Sequence, residues 1–246
     1  MLTEQHIASI AVAPSAEPMQ LPVDFVMGEN TVASMRTLTE QLPDPLAKEL
    51  VLASLRLGLM TEDLLLIALA RAVQLWTGYD RVTVEHLNHG RRLGSSGVDA
   101  SRSVGWFTTG VPVSLDMHGS VDPGALVEQL HNHAHRADGG GLAYWAQTAR
   151  ALESGMDWQP RAICLNHLGG PRIQTAHGLL KRITPPPTWT GSIPSSARRP
   201  YVIELQTAFA DDTLHCAWRY SAHLHREETL RSLACHFRES LLPLVE

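Results

Sequence analysis

Two neighbouring stretches decide the fold class of this sequence. The first is Arg81-Val-Thr-Val-Glu-His-Leu-Asn-His-Gly-Arg-Arg92, and the second is Arg102-Ser-Val-Gly-Trp-Phe-Thr-Thr-Gly-Val-Pro-Val-Ser-Leu-Asp-Met117. β-Branched residues alternate in both, which predicts two buried strands over 81–88 and 104–116. Polar side chains gather where the first strand ends, and α/β proteins commonly place their chemistry at strand ends. We therefore expect a functional site at this end of a sheet.

Helical patterns separate these strands from others. The clearest covers 61–77, with Thr61 as a predicted N-cap and Gly78 after its last apolar residue. Strands alternating with helices predict an α/β layered sandwich around one mixed sheet. The predicted strands cover 31–42, 81–88, 104–116, 161–168, 201–209 and 213–222, and the predicted helices cover 44–57, 61–77, 122–136, 142–152 and 227–242; a long loop covers 184–200.

The composition narrows the class of protein. With 246 residues and 44% hydrophobic residues, the chain is long and apolar enough for a globular core. A net charge of -5 argues against nucleic acid as a partner. The three cysteines show no zinc-ligand spacing and predict reduced thiols. Without an apolar run or a signal peptide, we expect a cytoplasmic protein away from membranes, with a loose lead-in at 1–20 and one domain at 21–246.

The end of the first strand is the leading candidate site. Strand alternation places Glu85, Leu87 and His89 on one face and His86 with Asn88 on the other. Histidine is the natural general base near neutral pH, so His89 could accept a proton. The alternative is a hydrogen-bond network that only fixes the following loop.

Three other clusters have weaker cases. His131 and His135 are one helical turn apart, but no third ligand joins them, which favours structural histidines over a metal site. The aromatic pair Trp106-Phe107 is typical of core, while the two threonines that follow could line a channel. Asn166-His167, before two glycines, fits a structural or a functional strand end equally. No nucleophile elbow or catalytic-triad order is present.

Five stretches resemble, in the same order, motifs of the condensation superfamily of nonribosomal peptide synthetases, above all its epimerization branch. Together they cover the chain from about residue 20 to its end, which makes the resemblance stronger than any single motif. The five are Glu-Asp-Leu-Leu-Leu-Ile-Ala at 62–68 (family D-x-x-L-L-x-A), Leu-Asn-His-Gly-Arg-Arg at 87–92 (EGHGRE), Arg-Ser-Val-Gly-Trp-Phe-Thr-Thr at 102–109 (RTVGWFT), Gly-Leu-Ala-Tyr at 141–144 (G-x-G-Y-G) and Leu-Asn-His-Leu-Gly at 165–169 (F-N-Y-L-G).

The resemblance implies a single lobe with a chloramphenicol acetyltransferase-like fold, a mixed sheet flanked by helices. Family members have two such lobes with a tunnel between them for carrier-protein-bound thioesters. Their H-H-x-x-x-D-G motif belongs to the first lobe, and this sequence contains no His-His dipeptide. The chain is thus similar to the C-terminal lobe alone. The resemblance implies that the chain has no cofactor of its own and that the phosphopantetheine arm of a carrier protein carries the substrate.

The family motifs also suggest roles for individual residues. His89 falls on the motif histidine and is the candidate catalytic residue, with no metal. Leu87 falls on the epimerization glutamate, and leucine cannot carry a proton, which argues against epimerase chemistry. Ala143 and Trp145 replace turn glycines, and Arg92 replaces the last motif glutamate. The candidate substrate-binding residues are Asn88, Arg91, Thr108, Thr109, Tyr144, Asn166 and His167.

Three functional hypotheses follow from the resemblance. The chain is a half-condensation-type protein of nonribosomal peptide or related secondary-metabolite biosynthesis that acts on, or positions, a carrier-bound acyl or peptidyl thioester. Alternatively, it is a non-catalytic docking or recruitment module, or an excised fragment of a larger synthetase. The expected partners are a peptidyl carrier protein or synthetase module. A lobe without its neighbour is also expected to expose an apolar patch, which a first-lobe partner or a homodimer would cover.

Overall fold

The computed structural model describes residues 19–91, 102–118, 122–136, 144, 148–150, 153, 161–169, 193–210 and 213–245. Within these residues it contains six strands and four helices of more than one turn. They are β1 (Met35–Leu42), α1 (Asp44–Leu57), α2 (Thr61–Thr77), β2 (Arg81–Asn88), β3 (Thr109–Asp116), α3 (Pro123–Arg136), β4 (Arg161–His167), β5 (Tyr201–Ala210), β6 (Thr213–Ser221) and α4 (Glu227–Val245).

All six strands form one sheet in the order β1-β6-β5-β4-β2-β3. The pairs β2–β4 and β4–β5 are parallel, and the other three pairs are antiparallel. The predicted α/β sandwich around one mixed sheet is therefore confirmed. The parallel pairs bring the ends of β2 and β4 to the same edge, where the sequence predicts a site.

The helices α2 and α4 pack on one face of the sheet. Burial alternates along β5 and β6 because every second side chain enters this core. Trp218 of β6, for example, meets Phe237 of α4 edge to face at 5.5 Å between ring centroids. We call the opposite face the polar face, because its side chains are largely hydrophilic. By register it carries Thr37, Thr39, Gln41, Glu85, Leu87, Cys164, Asn166, Glu204, Gln206, His215, Ala217 and Arg219.

Two strands begin later than the sequence suggests, and pairing explains both. β2 ends at Asn88, which pairs with Thr109, so residues 104–108 have no β2 residue beside them. β1 begins at Met35 rather than at residue 31 because Met35 pairs with Ser221, where β6 ends. Alternation alone reveals neither limit, since a strand needs a partner as well as a pattern.

The expectation that Trp106 is a core residue is wrong. Its side chain is 90% exposed, and its neighbour Val104 is fully exposed, whereas Phe107 is half-buried. The predicted N-cap of α2 is also shifted by one residue. Met60 is the N-cap, and its backbone N–H donates to the Asp63 carboxylate at 2.8 Å.

Several sequence expectations fall outside the described residues. They are the lead-in up to residue 18, the loop at 92–101, most of the helix at 142–152 and the part of the long loop at 184–192. Tyr144, residues 148–150 and Glu153 are helical. None of the helices in the described part of the chain has the length and apolar character needed to span a bilayer.

Candidate functional site

Asn88 fixes the turn that follows β2. Its Oδ1 accepts hydrogen bonds from the Gly90 backbone N–H at 2.8 Å and from the Thr109 hydroxyl at 2.9 Å. Both bonds hold the strand end against the start of β3. Asn88 and Thr109 thus form the local network that was the alternative to a substrate-binding role for this strand end.

Gly90 brings the turn into contact with the segment before β3. Its φ is 61°, and a Cβ at this position would lie 1.6 Å from the Phe107 carbonyl oxygen. Both the left-handed backbone and the close approach therefore require glycine. Arg91 adds to the contact, because its Nη1 donates to the Ser103 carbonyl at 2.8 Å and its Cζ lies 4.5 Å from the centroid of the Phe107 ring.

His89 is exposed at the tip of this turn. Its Nδ1 accepts a hydrogen bond from the Arg91 backbone N–H at 3.0 Å. A neutral imidazole that accepts at Nδ1 carries its hydrogen on Nε2. His89 therefore presents an N–H donor to its surroundings, with its accepting nitrogen already engaged.

Leu87 and Asn166 lie side by side on the polar face. Leu87 of β2 is in register with Asn166 of β4, and Asn166 is in register with Gln206 of β5. Neighbouring strands are about 4.8 Å apart, so these three side chains form a short row across the sheet. The row places an apolar side chain beside two amides at the same edge as His89.

Glu85 is a carboxylate buried on the same face, and sequence reasoning assigned it no role. Only 3% of it is exposed. Its Oε1 accepts from the Tyr201 hydroxyl at 2.7 Å, and its Oε2 lies 2.7 Å from Nε of Arg161. Burial raises the pKa of Glu85, although Arg161 and Tyr201 act in the opposite direction. An acidic residue amid apolar strand positions was the available signal.

Tyr144 contacts Arg161, the first residue of β4. The Cζ of Arg161 lies 5.5 Å from the centroid of the Tyr144 ring, and a side-chain hydrogen bond links the two residues. Thr108 is exposed beside the start of β3. The structure thus brings Asn88, His89, Arg91, Thr109 and Asn166 to one edge of the sheet, whereas Tyr144 contacts Arg161 at the other end of β4.

His167 is directed away from the polar face. Its Nδ1 lies 2.8 Å from the Thr207 hydroxyl, and its ring packs edge to face on Phe209 at 5.8 Å. Burial lowers the pKa of His167 to about 4, so the imidazole is neutral near pH 7. These contacts give His167 a packing role in the strand end.

A cleft of about 620 Å³ opens on the polar face next to Asn166. Its floor includes the small side chains of Ala208 and Ala217, with Gln206 on the side toward Asn166 and Leu168 at the rim. Within the described residues, no group of histidine, cysteine or carboxylate side chains could hold a metal ion.

Comparison with known proteins gives relatives of one kind. The chain is 33% identical over 234 residues to a polypeptide of the linear gramicidin synthase of Brevibacillus parabrevis, and the match covers 92% of the chain and 3% of that polypeptide. It is 32% identical over 230 residues to a chondramide synthase of Chondromyces crocatus, covering 92% of the chain and 6% of the synthase. The chain thus spans a small part of the curated relatives it matches. No family model matches it.

Solved structures agree with these relatives. The epimerization domain from the third module of tyrocidine synthetase B superposes with a TM-score of 0.77 and 26% identity, covering 94% of this chain and 52% of the other. The first condensation domain of the CDA synthetase gives 0.62 and 14% identity, covering 93% and 48%, which shows the fold alone. The chain belongs to the condensation superfamily of nonribosomal peptide synthetases and corresponds to a single lobe of its chloramphenicol acetyltransferase-like fold.

Proposed function

We propose that the chain acts on, or positions, an acyl or peptidyl thioester carried on the phosphopantetheine arm of a carrier protein. The observation that carries this proposal is the row of Leu87 and Asn166 on the polar face, with exposed His89 just beyond it. The resemblance implies tunnel positions for these three residues, and the pairing of β2 with β4 puts Asn166 beside Leu87, two residues before His89. The cleft beside Asn166 provides room for an extended chain.

The contacts support a donor role for His89. Because its Nδ1 is engaged by the Arg91 backbone, its Nε2–H is the group directed to a ligand. A thioester carbonyl oxygen is a suitable acceptor, and the Asn166 amide can hydrogen-bond the amides of the arm. This modifies the sequence hypothesis of a general base, since a base needs an available nitrogen lone pair.

The same face argues against removal of a proton from the substrate. Leu87 replaces the family carboxylate, and Glu85, two residues earlier, is buried and bound by Arg161 and Tyr201. Neither residue can act as an exposed base on the polar face. This favours a role in positioning the thioester. It also supports the second candidate function, a non-catalytic module that docks a synthetase module or tailoring enzyme.

A protein partner at this edge is part of the proposal. Val104 and Trp106 project from the segment that Gly90 and Arg91 hold beside the site. Large apolar side chains exposed together commonly mark a contact surface. A first-lobe counterpart, supplied by another chain or by a second copy of this lobe, would cover them and close the tunnel.

The test is a titration with S-(N-acetylalanyl)pantetheine, followed by chemical shift changes in the protein. His89→Ala is expected to weaken binding about fivefold, because one hydrogen bond contributes about 1 kcal/mol. The matched control is His118→Ala, since His118 is exposed beside Asp80, away from the site. Saturable binding by the wild type that only His89→Ala weakens supports the proposal. Equal affinities, or no wild-type binding, would refute it.

A further inference from the structure

A continuous chain of contacts leads from the interior of the sheet to Tyr144. It passes from Tyr201 to Glu85, then to Arg161, and from Arg161 to Tyr144. We propose that Glu85 is a positioning residue, whose charge holds Arg161 and thereby sets the position of Tyr144. Its relevance to thioester binding rests on the proposed function, whereas the coupling itself does not.

Glu85 is held rigidly enough for this role. Tyr201 occupies Oε1, Arg161 occupies Oε2, and a Cβ on Gly110 would lie 2.4 Å from Oε1. The carboxylate is therefore closely surrounded by Tyr201, Arg161 and Gly110. A buried carboxylate has little freedom to change partners, because a desolvated charge without a partner is strongly unfavourable.

Arg161 extends from the buried Glu85 carboxylate toward the surface. Its side chain is 22% exposed, so it lies between the buried carboxylate and the surface. The Nε contact with Glu85 fixes one edge of a planar guanidinium, and a planar group fixed at one edge can rotate little. The hydrogen bond and the ring contact with Tyr144 therefore depend on the orientation that Glu85 imposes.

The sheet contains a matched control for this arrangement. Glu85 and Glu204 are both in register with Cys164, one on each side of it, and both belong to the polar face. Glu204 also contacts an arginine, since Arg219 Nη1 lies 3.1 Å from its Oε1. Arg219 then bonds to Gln206 at 2.9 Å rather than to a tyrosine. Glu204→Gln thus removes a carboxylate charge beside an arginine, as Glu85→Gln does, but in a pair that is linked to Gln206 instead of Tyr144.

The experiment uses 3-fluorotyrosine labelling and fluorine NMR. The sequence contains four tyrosines, so four signals are expected, and single Tyr→Phe variants assign them. Glu85→Gln keeps an acceptor for Tyr201 but removes the charge that orients Arg161. It is expected to shift the Tyr144 signal as well as the Tyr201 signal, whereas Glu204→Gln leaves Tyr144 unchanged. The distant Tyr79 signal reports whether the fold is retained.

A purely structural role for Glu85 would move Tyr201 alone, and that result would overturn the proposal. Arg161→Lys provides a second variant if Glu85→Gln does not fold, because it keeps the charge and removes the guanidinium. It is also expected to shift Tyr144. An unchanged Tyr144 signal in that variant equally overturns the proposal.

The pantetheine thioester titration separates this inference from the proposed function. With coupling present, Glu85→Gln is expected to weaken probe binding at least twofold, and His118→Ala, the control away from the site, to leave it unchanged. If Tyr144 shifts but the wild type does not bind the probe, the proposed function fails and the coupling remains. If the wild type binds and Tyr144 does not respond to Glu85, the coupling fails and the proposed function remains.

Discussion

The polar face holds two carboxylate–arginine pairs in one row, and they differ mainly in their surroundings. Glu85 and Arg161 are 3% and 22% exposed and 2.7 Å apart. Glu204 and Arg219 are 18% and 34% exposed and 3.1 Å apart. Tyr201 and Tyr144 enclose the first pair, whereas the second contacts the Gln206 amide. The enclosed pair is therefore the one on β2, the strand that leads to His89.

The comparison shows that burial gives two glutamate–arginine pairs different roles. An exposed ion pair contributes about 0–1 kcal/mol, because water competes for both charges. A buried pair adds little net stability compared with apolar residues, but loss of one partner is costly because the other remains desolvated. We infer that the Glu85 pair organises this part of the molecule, whereas the Glu204 pair is largely a solvated feature.

The largest expected effect is on stability. Glu85→Ala is expected to lower the free energy of unfolding by about 3 kcal/mol, since it removes the carboxylate that accepts from Arg161 and the Tyr201 hydroxyl. Glu204→Ala is expected to cost less than about 1 kcal/mol. Urea denaturation of both variants measures the contrast. Equal losses would show that burial does not distinguish the two pairs.

A smaller effect is expected in the pH dependence of stability. Because burial raises the pKa of Glu85, the folded protein binds this proton more tightly than the unfolded chain does. The resulting stabilisation is fully present below the ordinary glutamate pKa and is lost as the pH rises through the raised value. Glu85→Gln should remove this contribution to the pH dependence of the unfolding free energy, and Glu204→Gln should retain it. Unfolding free energies measured between about pH 4 and 7 provide the check; parallel curves for wild type and Glu85→Gln would contradict it.

The sequence predicts the elements of the fold better than their contacts. Alternation correctly separates Glu85 and Leu87 from His86 and Asn88, since it depends only on neighbouring residues. It does not show where β3 begins, because that depends on where β2 stops. The bond between Glu85 and Tyr201 spans 116 residues, and no local pattern reveals a contact at that separation.

The candidate site shows the same division. The resemblance predicts that Asn166 and His89 belong to one site, and the parallel pairing of β2 and β4 puts Asn166 beside Leu87, two residues before His89. It does not show that Asn88 faces the Thr109 hydroxyl or that His167 packs on Phe209. Side-chain direction at a strand end depends on the neighbouring strand, which the motif letters do not specify.

The most direct test of a thioester site on the polar face follows the leucine methyl groups of the wild-type protein. Methyl-labelled protein is titrated with S-(N-acetylalanyl)pantetheine, and Leu87→Ala assigns the Leu87 signals. The predicted result is a saturable shift of the Leu87 methyls, with the buried methyls of Leu230 in α4 unchanged. A probe that binds without perturbing Leu87, or that does not bind at all, would contradict the assignment of this face as half of a thioester tunnel.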